Sequence, residues 1–161
     1  MDYIQLKKSN VLKFGIRTED GTDTGEWLEF DLEDIELPLK INESDKMHQA
    51  NVQDLKTKLF ILEKKQDKKG KYILSWKEEE KIKLYKEFFI KEEKALDLFI
   101  GEGGTKKLLC GRPPYITMYG DIAELLKPVM PKIKQTAQDI TEKIKGKYST
   151  KSGDVIVTDE N

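Results

Sequence analysis

Between Ser75 and Gly101 the chain carries its strongest local instruction, a long helix with both ends marked. Ser75-Trp76-Lys77-Glu78 has the form of a capping box, in which the serine oxygen accepts from the Glu78 amide and the glutamate carboxylate accepts from the Ser75 amide. Behind it Ile82, Tyr85, Phe89, Leu96 and Phe99 recur at helical spacing as far as Gly101, a residue suited to the left-handed conformation that ends helices. A second helical pattern lies just upstream: Val52, Leu55, Leu59 and Leu62 at three- and four-residue spacing among Lys56, Lys58, Lys64 and Lys65, with Asn42 or Ser44 as its cap. Asp67-Lys68-Lys69-Gly70-Lys71 reads as the turn that folds the two into an antiparallel pair, with a short extended piece at Tyr72-Ile73-Leu74 before the capping box.

The flanks differ in kind. Val11–Arg17 and Trp27–Leu32 alternate or cluster apolar residues at strand period around a polar, Gly-containing segment, which predicts a β-hairpin with Leu28, Phe30 and Leu32 on one face and Trp27, Glu29 and Asp31 on the other. A lone hairpin is marginal in water, so it must pack on a helix or pair with another chain. Asp31 to Glu36 is an acidic connector, and Pro38 blocks a helix from running straight through it. After Gly101 come Gly103, Gly104, a segment Thr105 to Cys110 fit for one or two helical turns, and Gly111-Arg112-Pro113-Pro114, together a jointed corner. Tyr115, Met118, Ile122 and Leu125 then follow a helical pattern that Pro128 and Pro131 either kink or split, and Ile133, Ala137, Ile140 and Ile144 resume it at near-heptad spacing. The reading is α+β, mainly α: one domain over 1–147, made of a β-hairpin and acidic connector (1–36), a helical pair (41–100), a Gly/Pro joint (101–114) and C-terminal helices (115–147), then a flexible tail (148–161).

Chemistry is hard to assemble from these residues. His48 is the one histidine and Cys110 the one cysteine, too few for a zinc site or a Cys-His nucleophile, and Cys110 reads as a small buried apolar residue beside Leu108 and Leu109. Gly101-Glu102-Gly103-Gly104-Thr105-Lys106-Lys107 lacks the spacing and the Ser/Thr of a phosphate-binding loop and follows a helix rather than a strand. Glu78-Glu79-Glu80 and Glu92-Glu93 sit among lysines on a helix, where a solvated charged face is the plain reading. With 29 basic and 30 acidic residues there is no global field to draw the chain onto nucleic acid or an anionic membrane, and arginine occurs only at Arg17 and Arg112. No apolar run approaches the roughly 18 residues of a membrane span. The single cysteine and the want of an apolar leader point to the cytoplasm. No catalytic residue, cofactor site or metal site can be nominated, which leaves surface for protein contact. The opposite signs of the acidic hairpin end and the Lys-rich centre also suit a head-to-tail homo-oligomer.

The order of parts is similar to one known family. Lys13-Phe14-Gly15-Ile16, then Trp27-Leu28-Glu29-Phe30-Asp31-Leu32, a charged helical middle, the corner Leu98-Phe99-Ile100-Gly101-Glu102-Gly103-Gly104 and, after Gly111-Arg112-Pro113-Pro114-Tyr115, a Pro-interrupted helical region together resemble the tail assembly chaperones of long-tailed bacteriophages and prophages of Gram-positive hosts, over roughly residues 10 to 147. The resemblance implies a non-catalytic assembly factor of the bacterial host cytoplasm that binds the long tape-measure protein, keeps it soluble and recruits tail-tube subunits. The alternative is a structural tail or head-tail joining component retained in the virion. Partner-facing candidates are Tyr115, Met118, Ile133, Ile140 and Ile144, each of which a core role explains equally well.

Overall fold

The computed structural model of the protein describes residues 1–6 and 10–148. Its order is β1 (Val11–Arg17), β2 (Asp23–Asp31), α1 (Leu37–Glu63), α2 (Trp76–Ile100), α3 (Gly104–Leu109), α4 (Met118–Leu126), a 3-10 turn (Lys127–Val129) and α5 (Met130–Tyr148). The chain is mainly helical with an N-terminal antiparallel hairpin, as its periodicities require. The tail expected from residue 148 onward falls outside the described residues except for Tyr148, which closes α5.

In the β-hairpin Leu12 faces Phe30 and Phe14 faces Leu28, so the inner faces of both strands coincide, and Ile16, Leu28, Phe30 and Leu32 are buried as the alternation predicts. Trp27 stands on the outer face, its indole donating to Glu29 at 2.7 Å. The hairpin lies against the C-terminal turns of α2, where Ala95, Leu96, Phe99 and Ile100 meet Leu109 of α3, Met118, Ile122 and Leu126 of α4, Val129, and Ile133 of α5. The core is thus at one end of the helical pair.

α1 and α2 are each about 40 Å long and run antiparallel through a loop in which the Asp67 carboxylate accepts from the Lys68 and Lys77 amides. Gly70 is required there, because a Cβ would fall 1.5 Å from the Leu74 carbonyl oxygen. The capping box at Ser75 is complete, with Ser75 Oγ accepting from the Glu78 amide at 3.2 Å and Glu78 accepting from the Ser75 amide at 2.7 Å. Along the seam, Ile41, Ser44, His48, Asn51, Leu55, Lys58 and Leu62 of α1 alternate three- and four-residue steps, as do Lys77, Lys81, Leu84, Phe88, Lys91, Ala95 and Leu98 of α2. Leu62 and Phe88 are buried within the pair alone and do not join the main core.

Several boundaries differ from expectation. α1 begins at Leu37, not near Asn42 or Ser44, with Pro38 in its first turn. The missing proline N–H is one the helix could not have used there, so Pro38 opens the helix, while the acidic connector before it stays non-helical as expected. Residues 72–74 form bends and no strand. α4 starts at Met118, leaving Tyr115 in the preceding turn. Pro128 and Pro131 split the C-terminal pattern for a definable reason: the carbonyls of Glu124 and Lys127, which those prolines cannot serve, accept from the Lys127 and Met130 amides in 3-10 fashion.

Candidate functional site

Three places combine polar or exposed apolar groups in a way that the fold alone does not demand. The first is a buried polar layer across α1, α2 and α4. Ser44, an inward position of α1, is fully buried and donates to the Ala95 carbonyl at 2.6 Å. Its one proton being spent, the Tyr119 hydroxyl, 2.9 Å away, is the donor to Ser44 Oγ. Burial pushes the Tyr119 hydroxyl above its ordinary value, which keeps it a donor. The Tyr119 ring lies flat on His48 at 3.9 Å, and His48 Nδ1 is 2.6 Å from Glu92 Oε2. The other Glu92 oxygen accepts from Asn51 at 2.9 Å. Glu92 is 2% exposed, so the solvated-face reading of Glu92-Glu93 is corrected for its first member: α4 packs over that side of the pair and encloses the carboxylate. The signal was present in the spacing, since Ser44, His48 and Asn51 all fall on inward positions of the α1 seam. With each oxygen partnered and the imidazole covered on one face, this layer fixes helix register.

The second place is the glycine corner. The Asp97 carboxylate accepts from the Gly103 amide at 3.1 Å, and from the amide and hydroxyl of Thr105 at 2.9 and 2.7 Å. The start of α3 therefore already holds an internal anion where a phosphate would have to sit. Gly103 at φ 77° makes the approach possible. Cys110, at φ 51°, is half-buried and not fully enclosed as its neighbours suggested.

No family model, curated protein or solved structure matches this chain.

The third place is α5, and it receives the partner-facing candidates unequally. Met118 and Ile133 are 1% and 5% exposed and belong to the core, so neither has surface to offer. Tyr115 is partly exposed ahead of α4, and its hydroxyl is pushed up by burial and by the Asp121 carboxylate. Ala137 and Ile140 are half-buried and Ile144 is 53% exposed, so the apolar stripe that starts in the core at Ile133 continues along α5 after its cover has ended. Exposed Lys132, Lys134, Lys143, Lys145 and Lys147 border the stripe. At its root Pro38, Ile41, Met130 and Ile133 line a groove rimmed by Lys127 and Lys134. Among the described residues no helix is long and apolar enough to cross a membrane, and no group of three or more His, Cys, Asp or Glu side chains is placed to hold a metal ion.

Proposed function

We propose that the protein is a tail assembly chaperone of a long-tailed phage or prophage, acting by binding and not by catalysis in the host cytoplasm. The observation that carries the reading is the apolar stripe of α5, anchored in the core at Ile133, half-buried at Ala137 and Ile140 and uncovered at Ile144. A helix held at one end by a folded body and open along the rest suits helix-in-groove contact with an extended, apolar, helical client such as the tape-measure protein. One alanine and two isoleucines bury little area, so each contact is weak at about 25 cal/mol per Å². Several chaperones spaced along one client supply the hold through avidity, while each remains displaceable by an incoming tail-tube subunit. The lysine border favours acidic stretches of client.

Co-expression with the tape-measure protein encoded beside it tests the reading. The wild-type chain keeps the client soluble and copurifies with it, and Ile144→Asp loses both effects without losing its own fold. A client equally insoluble with and without the chain would sink the proposal. Mass spectrometry of purified virions separates it from the retained-component alternative, which requires the chain to be present in the particle.

A further inference from the structure

The helical pair has two unlike sides beyond the core. On one, Lys58 bridges Asp54 and Glu87 at 3.0 and 2.8 Å and Lys91 bridges the same carboxylates at 3.1 and 3.0 Å, closing that side with paired charge. The other is the side on which Glu92 meets His48 and Asn51 and which Tyr119 of α4 covers. Heptad geometry places Val52 and Leu59 of α1 on this second side, with Ile82, Tyr85 and Phe89 of α2 beside them. Val52, Leu59, Tyr85 and Phe89 are half-buried and Ile82 is 54% exposed. The face that α4 covers near the core thus continues uncovered from Val52 to the end of α1 at Glu63, twelve residues at 1.5 Å each or about 18 Å.

We propose that a second copy of this chain covers it, two helical pairs stacking antiparallel about a two-fold axis into a four-helix bundle. The sequence of the face is self-complementary about one point. An axis lying between Leu59 and Phe60 on α1 sets Lys56 against Glu63 of the second copy, and Glu63, which already pairs with Lys81 and Lys77 of its own chain and would be shared with the incoming lysine, against its Lys56. The ion pairs across the seam, Lys58 to Glu87 and Asp54 to Lys91, put that point level with Tyr85 and Lys86 on α2. There the same axis sets Ile82 against Phe89. On α1 charge thus meets opposite charge on either side of Leu59, and on α2 apolar meets apolar. The parallel alternative sets Glu63 on Ile82 and Lys56 on Phe89, which strands a charge on an apolar side chain. The patch is about 18 Å by two helix widths of roughly 10 Å, small for a permanent interface, so the dimer is reversible.

Analytical ultracentrifugation of the full chain over a micromolar concentration series reads this directly, and is independent of client binding by α5. The expected result is a monomer–dimer equilibrium that Leu59→Glu abolishes with helix content unchanged. Ile82→Glu does the same from a position already open to solvent, and Lys56→Glu weakens it roughly tenfold by turning both ion pairs into repulsions. In a Cys110→Ser background, Leu59→Cys gives a disulfide-linked dimer on oxidation and Lys83→Cys does not. A monomer throughout the series, a dimer that survives Ile82→Glu, or cross-linking at Lys83→Cys in place of Leu59→Cys overturns the proposal.

Discussion

Glu92 and Tyr119 sit in one polar layer but do different work. Replacing Glu92 with Leu removes the acceptor for both Asn51 and His48 and leaves their half-buried donors without it, so we expect a loss of about 1–3 kcal/mol in urea denaturation. Tyr119→Phe removes a donor from Ser44, whose own bond to the Ala95 carbonyl survives, and should cost about 0.5–1.5 kcal/mol in the same measurement. Residue type alone misplaces Glu92. A glutamate beside another glutamate among lysines reads as solvent-facing, and only the tertiary placement of α4 over that side of the pair makes it internal. Met118 and Ile133 resolve toward the alternative already open to them: amphipathic spacing marks an apolar face without saying whether it turns to the core or to a partner, and the core takes both.

Elements written in short-range chemistry were the most legible. The alternation in β2 and the box at Ser75 are each complete within a few residues, so they hold in the fold as they read in the sequence. Ser75→Ala should cost about 1 kcal/mol, seen as a lower melting temperature. The start of α1 reads as later, at Asn42 or Ser44, because a proline's effect depends on how many residues of helix precede it, and at Pro38 none of consequence do. The ion-paired side of the helical pair has a defined pH response. Hydrogen bonds from Lys58 and Lys91 hold the Asp54 and Glu87 carboxyls below their ordinary values of 3.8 and 4.5, and those carboxylates, Glu87 first, hold Lys58 and Lys91 above 10.5. The carboxylates' contribution is therefore complete above their ordinary values and lost as pH falls through the lowered ones. That of the lysines is complete below 10.5 and lost as pH rises through the raised values. The contribution of these four groups to melting temperature should stay flat across neutral pH and fall on both flanks, with a smaller fall in high salt because the groups are exposed.

For the whole molecule, the decisive fact is that the core lies at one end. The β-hairpin, the glycine corner, α4 and the roots of α1 and α5 gather around the last turns of α2, leaving the far half of the helical pair and most of α5 outside. No periodicity in the sequence foretells this, because a stripe is apolar whether covered or not. It follows that Ile133→Asp and Ile144→Asp, on the same stripe, should behave oppositely. The first buries an unpaired charge and should unfold the chain or cost at least about 3 kcal/mol. The second should change stability by no more than about 0.5 kcal/mol. Hydrogen–deuterium exchange of the full chain, alone and with its tape-measure client, then tests directly whether the open part of that stripe is the working surface. Slower exchange confined to the α5 amides from about Ala137 to Tyr148 is the predicted result, and unchanged α5 exchange with protection elsewhere would contradict it.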